Sequence, residues 1–437
     1  MGRMSSMTMQ ETAISILRDL IRIDTSNDGT GDGPGEILAA EYVMESLREV
    51  GYDPELITTT SGRRAGVALR IPGVDPDRPG LLLHGHLDVV PAVASDWTVP
   101  PFAADVHDGM VWGRGAVDMK DMDAMILAIL REWADTGFRP PRDIVVLFTP
   151  DEEAGGRHGA HWLVENRPDL FTGVSEAVGE VGGFSLTVRE DLRLYLIQTA
   201  EKGIAWMRLH ATGTAGHGSM LHPDNAVTEL ATAMARIGQH RFDVSLGPTT
   251  TAFLREVAEA YDLDVDDVPA ILERIGPIAK FIGSGLQNTA NPTMLKAGYK
   301  VNVIPEVAEG HVDGRFIPGG RDELVSCVRH LAGPEIDVEL LNDDIALEVP
   351  FEGPSIDAMR AALRAEDPHA HAIPYLMSGG TDAKAFSTLG IKGYGFAPLN
   401  LPPELDFAAL FHGVDERVPV DSVQFGVRVL DRFLRTC

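Results

Sequence analysis

The chain has 437 residues, more than one hydrophobic core ordinarily serves, so two or three domains, or one domain with a large insertion, are expected. With 44% hydrophobic and 23% charged residues it has the makings of a packed core, which excludes a disordered chain. Its formal charge of −28 repels phosphate backbones and anionic lipid, so neither nucleic acid nor a membrane surface is expected as a partner.

Two cysteines, Cys327 and Cys437, are too few for a disulfide framework and fit a reducing cytoplasm, where we expect the protein. No apolar segment of signal-peptide type precedes the polar stretch 18–32, and no apolar run is long enough to span a bilayer. Met1-Gly2 with Ser6 fits the short myristoylation pattern, but so brief a pattern matches by chance, and a frayed terminus is expected instead.

Residues 11–23 place Ile14, Leu17, Leu20 and Ile21 at helical spacing. The glycine-rich stretch 29–35 leads into a second helix over 36–50; no strand feeds it, so it reads as a connection rather than a phosphate cradle. Two β-rich runs, 65–71 and 80–83, flank a turn at 72–79. An amphipathic helix spans 118–136, its Met122, Met125, Ile126, Ile129 and Trp133 serving as core filler. A buried strand follows at 144–148, and residues 177–178 end another. From residue 203 the rhythm changes: a strand over 203–213, a helix over 225–237 capped by Asp224, strands over 293–302 and 309–316, a helix over 321–331 and a strand over 336–341. Without residues 239–291, which carry their own helix near 252–261 and read as an insertion, that order is β-α-β-β-α-β, the ferredoxin-like arrangement. Helices over 356–365 and 422–434 complete an α/β domain interrupted by a smaller α+β domain.

Five short segments carry chemistry. In His84-Gly85-His86-Leu87-Asp88, His86 and Asp88 stand two apart on extended chain and point the same way. His86 suits a metal, and Asp88 can fix its tautomer. Asp118, in Gly115-Ala116-Val117-Asp118, stands at the mouth of an apolar helix, where taken alone it reads first as an N-cap. Asp151-Glu152-Glu153 crowds three acids just past a strand, where open α/β sheets place ligands. Charges about 4 Å apart repel by about 4 kcal/mol at an effective dielectric of 20, so these acids either splay into water or gather cations. His158 and His161, just downstream, read as helix surface. Glu180 stands where another strand stops, and His412 lies in a late loop. Together these groups suit two zinc-type ions sharing one carboxylate, with a spare carboxylate to deprotonate water.

This set, in this order, resembles the dizinc amidohydrolase and exopeptidase family of aminoacylase, acetylornithine deacetylase, succinyl-diaminopimelate desuccinylase and glutamate carboxypeptidase. The resemblance implies that His86, Asp118 and Glu180 hold one ion and Asp118, Glu153 and His412 the other, with zinc first in line and cobalt or manganese next. It implies that Asp88 orients His86 and that Glu152 is the general base and later the acid. His217, in Gly216-His217-Gly218-Ser219, resembles the histidine that steadies the oxyanion, often from a partner subunit. Asn302 and Arg315 resemble groups that grip a substrate carboxylate, and Ser378-Gly379-Gly380-Thr381-Asp382 resembles a loop lining the substrate pocket. Ala297-Gly298 replaces the paired glycines common in relatives, the 239–291 insertion exceeds that of the compact desuccinylases, and Glu180 in place of aspartate leans towards deacylases and carboxypeptidases.

The expected fold is therefore a catalytic α/β domain (1–202 and 345–437) with a central mixed sheet flanked by helices, interrupted by a ferredoxin-like lid (203–344) that serves as a homodimer contact. The expected activity is hydrolysis of the amide bond of a small carboxylate-bearing substrate, an N-acyl amino acid; a carboxypeptidase or dipeptidase of the same family is the alternative. A non-catalytic carboxylate-binding protein is the alternative from another class. An oxidoreductase is excluded, because no glycine-rich turn joins a strand to a helix.

Overall fold

The computed structural model describes residues 7–59 and 62–437; Met1-Gly2 and Ser6 lie outside the described residues. Thr8 Oγ1 accepts the Glu11 N–H (3.2 Å) and Glu11 Oε2 accepts the Thr8 N–H (2.8 Å). That reciprocal cap starts α1 (Met9–Arg22), two residues ahead of the apolar periodicity. There follow α2 (Ile37–Arg48), β1 (Glu55–Thr58), β2 (Ala65–Ile71), β3 (Gly80–His86), α3 (Lys120–Thr136), β4 (Ile144–Thr149), β5 (Val174–Gly179), β6 (Phe184–Arg189) and β7 (Leu192–Glu201). After α3, Gly137 takes the left-handed conformation that terminates the helix.

The second unit contains β8 (Gly203–Thr212), α4 (Ala226–Gln239), α5 (Pro248–Tyr261), β9 (Thr289–Ala297), β10 (Val307–Phe316), α6 (Arg321–Ala332) and β11 (Ile336–Asp344). The chain then returns through α7 (Pro354–Glu366), β12 (Ala370–Met377), β13 (Lys392–Gly395) and α8 (Val420–Thr436).

The large sheet runs β1-β2-β4-β3-β5-β13-β7, with β6 and β12 also paired to β7. It is mixed: β3 is parallel to β4 and β5, whereas β2 is antiparallel to β1 and β4. Alternate residues of its central strands enter different cores. Leu81, Leu83, Val146 and Phe148 pack with α1, α3 and α8; Leu82, Val145 and Leu147 pack with Phe171 and Phe386 on the other face. Covered on both sides, these strands are apolar throughout rather than alternating, and each buried leucine or valine contributes about 1.5–3 kcal/mol.

The smaller sheet is antiparallel in the order β9-β10-β8-β11. That order is ferredoxin-like. Ala205, Met207, Leu209 and Ala211 meet Leu230, Met234, Leu324 and Val328 beneath α4 and α6. Three local expectations change. Asn225, not Asp224, caps α4, its Oδ1 accepting from Val227 N (3.0 Å) and Thr228 N (3.3 Å), because Asp224 is engaged by Thr214 Oγ1 (2.6 Å). Strand β9 starts earlier and ends at Ala297, where Gly298 turns left-handed (φ 67°). Asp118 caps nothing: α3 starts at Lys120 without a side-chain cap.

Residues 248–286 leave the smaller sheet. Their Phe253, Leu254, Val257, Ile271, Ile282 and Leu286 join the core of the large sheet, with α5 lying on β12. No helix among the described residues is long and apolar enough to cross a membrane.

Candidate active site

The parallel strands β4, β3 and β5 lie side by side, so whatever follows their carboxyl ends is brought together. His86 ends β3, Glu152 and Glu153 follow β4, and Glu180 follows β5. Three non-glycine residues beside these groups hold left-handed backbones: Asp151 (φ 69°), Val181 (51°) and His412 (57°). Each such conformation costs on the order of 1–3 kcal/mol and clusters where geometry is imposed for function. A Cβ at Gly85 would sit 2.1 Å from Asp123 Oδ1, so any larger residue there displaces that buried side chain.

Asp118 lies at the centre. Its Oδ1 is 3.1 Å from His86 Nε2 and its Oδ2 is 3.2 Å from His412 Nε2. Glu180 Oε2 stands 3.4 Å from His86 Nε2, and Glu153 Oε2 stands 3.0 Å from His412 Nε2. Two donor clusters result, His86–Asp118–Glu180 and Asp118–Glu153–His412, the donor atoms of each lying within 4.8 Å of one another. Glu152 Oε2 comes within 3.9 Å of His86 Nε2 and completes no cluster. His158 and His161 belong to neither.

The second nitrogen of His86, Nδ1, meets the Asp88 carbonyl at 2.9 Å, and the Asp88 carboxylate stands off at 3.7 Å. That carboxylate accepts the N–H groups of Glu152 and Glu153 (3.1 Å each) and Asn27 Nδ2 (2.8 Å). One residue therefore holds both the imidazole and the di-glutamate turn.

Burial first, and the charge of Glu180 second, push Glu152 well above the carboxylate range. Burial raises Glu180 to about 8. Hydrogen bonds to Asp118 and Glu153 raise His412 to about 10. Burial opposes ionisation of Asp118, but bonds from His412 and His86 outweigh it and hold the group well below its usual value. Four buried or half-buried carboxylates thus face two imidazoles, and Glu153 Oε1 is buried with no hydrogen-bond partner. Imidazole nitrogens and carboxylate oxygens in this number form a donor set that fits divalent cations, which offset the repulsion the protein groups leave.

The clusters open into a cavity of about 440 Å³ lined also by Val181, Lys202, Arg315, Met377, Gly380 and Phe411. Arg315 lies there with Nε on Asp313 Oδ1 (2.7 Å). Thr381 sits behind the wall, its N–H and Oγ1 donating to Glu201 (3.0 and 2.6 Å). His217 and Asn302 lie outside the cavity lining, next to each other in the second unit, where Gly218 N donates to Asn302 O (3.0 Å) and His217 is exposed. Sequence reading missed Lys202. Its ammonium spends its three hydrogens on Ser284 O (2.9 Å), Gln287 O (2.8 Å) and Thr289 Oγ1 (3.2 Å), tying the insertion to the wall of the cavity. A lone lysine between two strands gives no signal of this.

The profile described as peptidase family M20/M25/M40 matches residues 82–436. Human N-fatty-acyl-amino acid synthase/hydrolase PM20D1 is 29% identical over 382 residues, covering 82% of this chain and 74% of its own. Human aminoacylase-1 is 25% identical over 433 residues, covering 97% and 95%. Among solved structures, an M20 family metallo-carboxypeptidase from Sulfolobus solfataricus superposes with a TM-score of 0.71 at 18% identity, covering 97% of this chain and 98% of that one. With sequence and fold both matching, the chain belongs to peptidase family M20/M25/M40 and is a metal-dependent hydrolase of amide or peptide bonds.

Proposed function

We propose that this hydrolase removes the acyl group from a small N-acyl amino acid with a free carboxylate. The observation that carries the proposal is the pair of donor clusters sharing Asp118 at the floor of a cavity that also holds Arg315. In this reading His86, Asp118 and Glu180 hold one divalent ion and Asp118, Glu153 and His412 the other, zinc before cobalt or manganese. Two such ions supply Lewis acidity and lower the pKa of water to about 7. Glu152, whose Oε2 lies 3.9 Å from His86 Nε2 and which belongs to neither cluster, takes the proton of the attacking water and returns it to the leaving nitrogen. Asp88 keeps His86 and the Glu152–Glu153 turn in register. Arg315 binds the substrate carboxylate, joined on closure by Asn302 from the second unit, while Gly380, with Thr381 behind it, shapes the wall.

The second unit, 203–344 without the insertion, acts as a lid that brings His217 to the oxyanion on closure. Its strand β9 is an open sheet edge, with Met294 and Leu295 exposed, which supports pairing with a second copy. The two unpaired cysteines support a cytoplasmic setting. Two of the relatives, an aminoacylase and an N-fatty-acyl-amino acid synthase/hydrolase, support acylated amino acids as substrates.

The test is Glu152→Gln assayed beside the native chain. Metal content by mass spectrometry stays unchanged while the rate falls by about 10²–10⁴. A panel of N-acetyl, N-succinyl and N-carbamoyl amino acids and dipeptides, with zinc, cobalt or manganese, identifies the substrate. Near-native turnover by the variant removes Glu152 from its role.

A further inference from the structure

Residues 113–118, which carry Asp118, form neither helix nor strand, so no ladder fixes them. Four groups of this turn converge on one carboxylate. Glu416 Oε2 accepts Arg114 Nη1 (2.7 Å) and Gly115 N (3.1 Å), and Oε1 accepts Val117 N (2.8 Å) and Asp118 N (3.2 Å). Glu416 is fully buried and Arg114 nearly so, its guanidinium lying 5.1 Å over the Trp97 ring. Backbone bonds continue the contact: Gly113 N donates to Glu416 O (2.9 Å), and residues 110–112 pair with Arg417–Pro419. The loop that carries Glu416 also carries His412, and beside it Asp415 Oδ1 accepts Thr98 N (2.8 Å).

We infer that Glu416 is a positioning residue, whose buried carboxylate locks the Asp118 turn to the His412 loop and so sets the spacing of the Asp118–Glu153–His412 cluster. This rests on the proposed reading of those residues as metal ligands. Both oxygens are fully used, with two donors on each. A glutamine keeps the shape but turns an NH₂ towards two of those donors, freeing part of the turn. A displacement there is felt most by the cluster whose members sit on both tied segments. The other cluster draws His86 and Glu180 from the ends of sheet strands that do not depend on the tie.

The experiment titrates full-length, chelator-treated native chain, Glu416→Gln and Arg114→Met with Co(II) alone, following heat and visible absorption, beside thermal melts without metal. Native chain takes up two equivalents. In Glu416→Gln one equivalent is weakened by about 10–100-fold and its absorption changes, while the other is kept. Arg114→Met, which removes one of the four donors, shifts the same equivalent in the same direction by less. A purely structural role moves the melts and leaves the two equivalents alike. Should Glu416→Gln not fold, Arg114→Met decides. Two unperturbed equivalents in the folded variants overturn the inference. A native chain that binds no cobalt fails the dinuclear reading instead.

Discussion

His86 and His412 each meet a different oxygen of one carboxylate, the first 3.1 Å from Asp118 Oδ1 and the second 3.2 Å from Oδ2. If each cluster holds an ion, the Asp118 they share makes them unequal to single replacements. Asp118→Ala is expected to lose both ions after dialysis, and Glu180→Ala only one, with activity falling by several orders of magnitude in the first case. Metal analysis of the dialysed variants checks this. Two ions retained in Asp118→Ala would mean that the carboxylate is not shared.

Asn27 supports the site from below. Its Nδ2 donates to Asp88 Oδ2 (2.8 Å) and Asp151 Oδ1 (3.2 Å), and its Oδ1 accepts Arg64 Nη2 (2.7 Å), all within the protein interior. Asn27→Ala takes one hydrogen bond from each of two buried carboxylates and a buried guanidinium. We expect a stability loss of about 1–3 kcal/mol in urea melts and a 10–100-fold drop in kcat. Equal kcat in the two proteins would show that Asp88 holds its place unaided.

Arg315 faces the cavity with one edge of its guanidinium on Asp313. If it also binds the substrate carboxylate, Arg315→Ala should raise KM for the free acid by about 10–100-fold, as expected for a charged hydrogen bond, and leave kcat nearly unchanged. The substrate amide, which lacks that charge, should show little difference between native and variant. An equal penalty on acid and amide would move Arg315 out of substrate binding.

Asp121 gives a pH signature. Burial pushes its carboxyl from an ordinary value near 3.8 up to about 8. The folded protein therefore holds this proton more tightly than the unfolded chain. The associated stability is complete below pH 4 and is lost as pH rises towards 8. Asp121→Asn removes the titration, so its urea midpoint should fall less between pH 5 and pH 8 than that of the native chain. Parallel pH profiles would place the proton elsewhere.

Much of the site was legible because strand ends are legible. The apolar runs before His86, Glu152 and Glu180 mark buried strands, and acids just past such strands stand at the mouth of an open sheet. His412 stood out as a histidine in a late loop, and the resemblance supplied the pairing of the groups. The role of the Asp88 carboxylate was only half legible. Spacing placed it near His86, but the imidazole meets its carbonyl while the carboxylate holds the turn after β4. Asn27 and Lys202 gave no signal, since each acts through partners remote in sequence.

The order of elements and the placement of acids at strand ends were decided by local patterning, because periodicity records which face of an element is buried. It does not record what that face is buried against. Only the tertiary structure could turn the insertion's apolar side chains away from the smaller sheet and onto the large one. Only it could seat Glu416 in the turn that presents Asp118, since a buried carboxylate goes wherever the folded chain leaves N–H groups to receive it.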